Sequence, residues 1–136
     1  MTRGRVVPEL NRLMATRIVA QAAALDGVGW PEDRLVLRTA VDELLIIPPV
    51  ADVSSVTSRD PYAIVVEDAS YAGVWLGAEV AATVLQRHCE WRVADQRPHF
   101  AQGAIAGIAT KLWLETDRVL FVVPAPYAAE FEERIA

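Results

Sequence analysis

Two apolar runs near the C-terminus constrain the fold of this chain more than any other feature. Residues 104–114 and 119–123 are mostly apolar, and the polar link Glu115-Thr116-Asp117-Arg118 joins them. β-branched and aromatic residues in the arms, with charged residues in the link, are typical of a β-hairpin. The second arm is apolar on both faces, so the rest of the chain must cover both sides of this strand.

Length, composition and charge indicate one globular domain. The chain has 136 residues, of which 53% are hydrophobic, and its net charge is −5. This content is enough for a core and argues against disorder. An acidic chain is not expected to bind nucleic acid, because phosphate binding needs a clustered basic surface. No apolar run approaches the roughly 18 residues of a membrane-spanning helix, and charged residues interrupt any signal-peptide core, so we expect no membrane contact and a cytoplasmic location.

The first half of the chain predicts a helix followed by two strands. Apolar side chains recur at helical spacing over residues 8–25, so residues 1–33 are interpreted as an N-terminal helix and linker. Residues 35–40 and 44–47 are interpreted as strands joined by a turn, although a single helix over residues 35–46 also fits. The segment that follows is rich in Asp, Ser and Thr and predicts a loop over residues 50–60.

The second half predicts an α+β domain. The expected elements are strands at 63–66 and 72–76, a helix at 78–88, a polar connection at 89–99, the hairpin, and a last helix from Pro126. From residue 71 the order strand, helix, strand, strand, helix is most of a ferredoxin-like βαββαβ unit, an antiparallel sheet with helices on one face. We therefore predict a single α+β domain over residues 34–136, extended by the earlier strands.

The only cysteine, Cys89, suggests two kinds of chemistry. With His99 it could form a thiolate–imidazole pair, and with His88 and His99 it could ligate a metal ion. A helix C-terminus directly before Cys89 disfavours a thiolate, and the spacing matches no standard metal motif. A half-buried structural cysteine is the prediction, with no catalytic residue and no metal site.

Adjacent carboxylates occur twice, at Asp42-Glu43 and at Glu67-Asp68. Neighbouring side chains on an extended chain point in opposite directions, so neither pair is arranged as an acid–base dyad. We interpret them as turn acids and as a strand-end cap. Three further acids are interpreted as a solvated helix face: Glu130, Glu132 and Glu133.

Two tryptophans and two arginines are the candidate partner-contact residues. Trp30 and Trp91 lie in predicted loops, and aromatic side chains are enriched at protein interfaces. Local packing of both side chains is the alternative. Arg12 and Arg17 lie on the predicted N-terminal helix, which we expect to contact a partner. The other tryptophans fall in predicted strands and are expected in the core: Trp75 and Trp113.

Several short motifs follow one another in a set order along the chain. They are Asp42-Glu43-Leu44-Leu45, Asp68-Ala69-Ser70, Trp75-Leu76-Gly77, Cys89 four residues after Leu85, Phe100-Ala101-Gln102-Gly103, Leu112-Trp113, and Val122-Val123-Pro124 followed by Tyr127-Ala128. In this order and spacing they resemble the gamma subunit of heterotetrameric sarcosine oxidase. That family is related to the folate-binding aminomethyltransferases of the glycine cleavage system.

The resemblance implies a non-catalytic accessory subunit of a sarcosine-oxidase-like, folate-linked amine oxidoreductase. The implied partners are a large folate-binding subunit and a flavin-binding subunit. FAD, FMN, NAD and tetrahydrofolate are then expected in those partner subunits, with no cofactor in this chain. The alternatives are a stand-alone folate- or pterin-binding protein or one-carbon (aminomethyl) transferase, and a homo-oligomeric scaffold.

Overall fold

The computed structural model describes residues 8–136. The chain divides into two compact units. The first unit is Leu13–Ala69, and the second comprises Ser70–Ala136 together with residues 8–12.

The first unit is built mainly from strands. Its elements are most of β1 (Asn11–Val19), α1 (Ala22–Leu25), β2 (Leu35–Ala40), β3 (Glu43–Ile47), α2 (Ser54–Thr57) and the start of β4 (Ile64–Gly77), which continues into the second unit. Strand β3 pairs antiparallel with β2 on one side and with β1 on the other. A cluster of buried apolar side chains forms the core of this unit: Ile18, Ala20, Ala24, Leu25, Leu44, Ile46 and Val56.

The predicted N-terminal helix over residues 8–25 is wrong. Residues 11–19 form strand β1, and only residues 22–25 are helical. The register places Ile18 opposite Leu44 on β3, and both side chains are buried in the first core. Such cross-strand pairs stabilise a sheet. The apolar spacing within residues 8–25 carries no information about such pairs with distant residues. The pattern alone therefore predicts a helix, although pairing with β3 makes this segment a strand.

The strand pair that follows is confirmed, and the alternative helix over residues 35–46 is wrong. Strands β2 and β3 are joined by a tight turn and pair antiparallel. The predicted loop over residues 50–60 contains the short helix α2, whose Val56 is completely buried. The two strands predicted at 63–66 and 72–76 are parts of one strand, β4.

The second unit is a four-stranded antiparallel sheet with two helices. After β4 come α3 (Ala78–His88), β5 (His99–Ile105), β6 (Ile108–Leu114), β7 (Arg118–Pro124), a 3-10 turn (Ala125–Tyr127) and α4 (Ala128–Ile135). The strand order is β4-β7-β6-β5. The predicted helices at the positions of α3 and α4 are confirmed. The predicted hairpin is confirmed where β6 pairs with β7, but its first arm, predicted over residues 104–114, is divided between β5 and β6.

Strand β7 is buried on both faces, as its sequence predicts. Val119, Phe121 and Val123 belong to the core of the second unit, which also contains residues of α3 and α4. On the other face, Leu120 lies in register between Trp75 of β4 and Trp113 of β6. The two tryptophans are half-buried rather than core residues. The Arg118 guanidinium lies 3.7 Å from the Trp75 ring centroid, and Trp113 Nε1–H donates to Glu115 at 3.0 Å.

The predicted ferredoxin-like α+β fold is wrong. Within residues 8–136 the structure has seven strands, mostly in antiparallel sheet, and only α3 and α4 are longer than four residues among its α-helices. One physical reason lies in the arm predicted over residues 104–114. A turn at Ala106-Gly107 breaks this run, so β5, β6 and β7 form three successive antiparallel strands instead of one hairpin.

That turn carries an unusual residue. Ala106 and Gly107 form a two-residue hairpin loop with φ of 52° and 77°. This loop type favours Asn at its first position, because an alanine there costs roughly 1–2 kcal/mol. We expect Ala106→Asn to raise the free energy of unfolding by about 0.5–1 kcal/mol in urea titrations. The control Ala109→Asn, at an exposed position of β6, should not stabilise the protein, since Asn is disfavoured in strands.

Within the described residues, no helix combines the length and the apolar character needed to cross a membrane.

Candidate functional site

Both loop tryptophans are packed within their own units. Trp30 is half-buried against the core of the first unit. Trp91 is half-buried against the core of the second unit, and its Nε1–H donates to the carbonyl oxygen of Ala104 at 2.8 Å. Local packing, the alternative interpretation, therefore explains much of the burial of each side chain. Contact of either residue with a partner stays a prediction.

The Trp91 ring lies directly over Gly103. A Cβ atom at residue 103 would lie 2.6 Å from Trp91 Cε2, a distance that forces the ring to move. We expect Gly103→Ala to lower stability by about 1–3 kcal/mol and to shift tryptophan emission to the red. The shift should vanish in a Trp91→Phe background. The control Gly77→Ala, whose Cβ would meet no atom within 4 Å apart from its chain neighbours Leu76 and Ala78, should leave the emission unchanged.

The two candidate arginines lie on strand β1, not on a helix. Arg17 donates from Nε and Nη2 to one oxygen of Glu43, at 3.0 and 2.7 Å. The Thr39 hydroxyl donates to the other oxygen of that carboxylate at 2.6 Å. Arg17 thus braces β1 against the β2–β3 pair, whereas Arg12 is exposed. A role for either residue in partner contact stays a prediction.

Cys89 is half-buried, as predicted. Its thiol donates to the carbonyl oxygen of Trp91 at 3.1 Å, in the connection that follows α3. His88 ends α3, and His99 begins β5. Among residues 8–136, no group of three His, Cys, Asp or Glu side chains is arranged to hold a metal ion.

The paired acids differ from their predicted positions. Asp42 is a turn residue as predicted, but Glu67 and Asp68 lie inside β4, so their interpretation as a strand-end cap is wrong. On α4, Glu132 is half-buried and accepts a hydrogen bond from the Leu10 N–H at 2.6 Å. Glu130 pairs with Arg134. The solvated-face interpretation therefore omits two specific contacts of α4.

A run of exposed apolar side chains begins strand β4. Ile64, Val65 and Val66 are 56%, 37% and 41% exposed. Successive residues of a strand point to opposite faces, so this run exposes apolar atoms on both of its faces. Scattered surface apolar residues are common, but contiguous ones are typical of surfaces that bind other molecules.

A groove of about 360 Å³ lies beside this run, within the first unit. Its lining consists of Thr16, Pro49, Val50, Ala51, Val65, Val66 and Glu67, and we call it the β4 groove. The Val50 N–H donates to the Thr16 hydroxyl oxygen at 3.0 Å, and that hydroxyl donates to the Val50 carbonyl at 3.3 Å. These bonds hold the segment after β3 against β1, so one wall of the groove is fixed.

The Glu67 carboxylate gives the groove a negative rim. Glu67 lines it and is exposed, and Asp52 directly follows the lining residue Ala51. The Asp52 carboxylate accepts bonds from the hydroxyl and the N–H of Ser54, at 2.6 and 3.0 Å. These bonds, the hydroxyl first, lower the pKa of Asp52 below its ordinary value. Asp52 therefore remains negatively charged at neutral pH.

A cation also lies near this groove. Arg34 donates from Nε to the carbonyl oxygen of Pro49, a lining residue, at 3.1 Å. Its guanidinium also pairs with Asp33 at 2.7 Å. Since Asp33 balances this charge, Arg34 does not cancel the negative rim.

A second cavity of about 360 Å³ lies at the end of α3, in the second unit. Its lining consists of Arg87, His88, Glu90, Trp91, Ala104, Ala106 and Gly107. Arg87 and His88 occupy the last turn of α3, where basic side chains complement the helix dipole. The same dipole opposes an anion at this end of the helix. The β4 groove is therefore the stronger candidate site.

The sequence alone did not reveal this groove, because a short apolar run has the same pattern whether it is buried or exposed. The available signal was the pair Glu67-Asp68 directly after the run, which places charge inside a strand that its apolar residues predict to be buried.

No protein-family model matches this chain, and a search of curated proteins finds no match either.

Proposed function

We propose that this chain is a non-catalytic accessory subunit that binds partner proteins within a sarcosine-oxidase-like, folate-linked amine oxidoreductase of the cytoplasm. The observation that carries the proposal is the exposed apolar run Ile64–Val66, because it offers a surface that a partner would bury. Its partners are a large folate-binding subunit and a flavin-binding subunit. FAD, FMN, NAD and tetrahydrofolate are bound by those subunits.

The motifs that carry the resemblance support the choice of complex. Trp75-Leu76-Gly77 ends β4 and leads into α3, and Phe100–Gly103 lies in β5. Leu112-Trp113 lies in β6, and Val122-Val123-Pro124 ends β7. These four motifs therefore lie in or at the end of strands, in the order in which the resemblance has them.

Co-expression tests the proposal. The tagged chain is expressed with the products of its neighbouring genes, and the large and flavin-binding subunits are expected to co-purify with it, together with flavin absorbance. The triple variant Ile64→Thr, Val65→Thr, Val66→Thr should lose this capture. Thr is similar in size to Val and favours strands, so the variant should fold. The control Val80→Thr, 56% exposed on α3, should retain capture.

Calorimetric titration of the isolated chain with tetrahydrofolate distinguishes the accessory subunit from a stand-alone folate-binding protein or transferase. An accessory subunit should release no binding heat. Tight binding together with turnover by the chain alone would instead identify a stand-alone folate-binding protein or transferase and refute the proposal.

A further inference from the structure

We propose that the β4 groove binds an extended segment of a partner protein in which apolar side chains are flanked by arginine or lysine. This inference rests on the proposed function, since it assigns a chemistry to the partner of the same surface. It excludes a second copy of this chain as the occupant.

The residues that line the groove support apolar side chains in the bound segment. Val50 and Val65 contribute aliphatic walls, and Val65, which lies on the same face of β4 as Glu67, is more than a third exposed. Inserting aliphatic side chains between these walls would remove apolar surface of both molecules from water, which is the main favourable contribution to association. A groove of about 360 Å³ is large enough for side chains rather than for a single methyl group.

The negative rim of the groove supports arginine or lysine beside those apolar side chains in the bound segment. Among residues 8–136, no hydrogen-bond donor or cation pairs with the Glu67 carboxylate, and Asp52 is held in its charged form. The neighbouring cation, Arg34, is already paired with Asp33. A basic side chain beside the apolar contact would therefore gain a favourable interaction with the Glu67 carboxylate, whereas an acidic one would be repelled.

The same charges argue against self-association. The chain carries a net charge of −5. In a two-fold dimer through this groove, the same surface of each copy would meet, so Glu67 of one copy would face the acidic rim of the other. Like charges opposite one another oppose binding. The occupant is therefore a different protein with a basic contact segment.

Two labelled peptides test this chemistry on the full chain. Both contain a central Val-Ile-Val core, one with two arginines at each end and the other with two glutamates, and binding is followed by fluorescence anisotropy. We expect about tenfold tighter binding of the arginine peptide at low salt, from the opposite signs of its charges. The preference should shrink at high salt, because salt screens exposed charges.

Variants locate the contact. Glu67→Gln should remove much of the preference for the arginine peptide, whereas Glu133→Gln, an exposed acid on α4, should leave it unchanged. Val65→Thr should weaken binding of both peptides by a similar factor, and Val80→Thr should weaken neither. Circular dichroism of each variant establishes that it is folded.

Three results would overturn the inference: equal affinity for both peptides, binding of neither, or a dimer in sedimentation velocity that Val65→Thr dissociates. The last result would make a second copy the occupant. Failure of the proposed function is distinct. If the arginine preference holds but the oxidoreductase subunits do not co-purify, the partner chemistry stands and the assigned complex is wrong.

Discussion

Phe131→Ala is expected to lower the free energy of unfolding by about 3–5 kcal/mol, measured by urea titration and circular dichroism. Phe131 is completely buried, and its ring centroid lies 6.3 Å from that of Phe121 on β7, which is also completely buried. Only one other residue of α4, Ile135, is buried. Truncation therefore leaves a cavity and removes the principal contact that holds α4 on the sheet.

A neighbouring aromatic residue provides the control. Tyr127 directly precedes α4 and is 50% exposed, so Tyr127→Ala should change stability by no more than about 0.5–1 kcal/mol. A double-mutant cycle of Phe121→Leu and Phe131→Leu should show a coupling of about 0.5–1.5 kcal/mol from the pair of rings. If Phe131→Ala lowers the free energy of unfolding no more than Tyr127→Ala does, Phe131 does not hold α4 on the sheet.

The part of the fold that could be predicted is the part in which local pattern and tertiary structure agree. Residues 119–123 are apolar on both faces, and the structure covers both faces of β7. The helix α3 has an apolar face, an acid in its first turn and basic residues in its last turn, so all three signals agree. Its predicted bounds are therefore correct.

Errors occur where pairing with distant residues decides the structure. Residues 11–19 have helical spacing, but the partner of Ile18 is Leu44 on β3, and only the sheet reveals that contact. The break at Ala106-Gly107 was missed for a different reason. Ala is rare at positive φ, so the dipeptide lacks the Asn-Gly or Asp-Gly signal of a hairpin.

The candidate site was predictable only in part. The sequence predicts Trp30 and Trp91, in loops, as interface residues, and both are half-buried within their own units. The run Ile64–Val66 was interpreted as an ordinary strand, which it is. Its exposure depends on which residues cover it, and this is a property of the folded chain rather than of a four-residue pattern.

The Asp60 carboxylate is buried, and both of its oxygens accept hydrogen bonds from the backbone. It is 5% exposed, and its two oxygens accept hydrogen bonds from the backbone N–H groups of Gln21 and Tyr62, both at 2.9 Å. Gln21 precedes α1, and Tyr62 lies just before β4. One side chain therefore ties the segment before α1 to the segment that leads into the exposed apolar run.

Asp60→Ala should lower the free energy of unfolding by about 2–4 kcal/mol, because it leaves two backbone N–H groups without their acceptors. Asp60→Asn keeps one carbonyl oxygen and should lose about half as much. The control Asp33→Ala removes the same charge from a side chain that is 75% exposed, so it should cost less than about 1 kcal/mol. Hydrogen exchange adds a local measurement, since the Gln21 and Tyr62 amides should exchange faster in Asp60→Ala than in Asp33→Ala. Equal stability and equal exchange in these two variants would contradict a structural role for Asp60, and the start of β4 would then need another support.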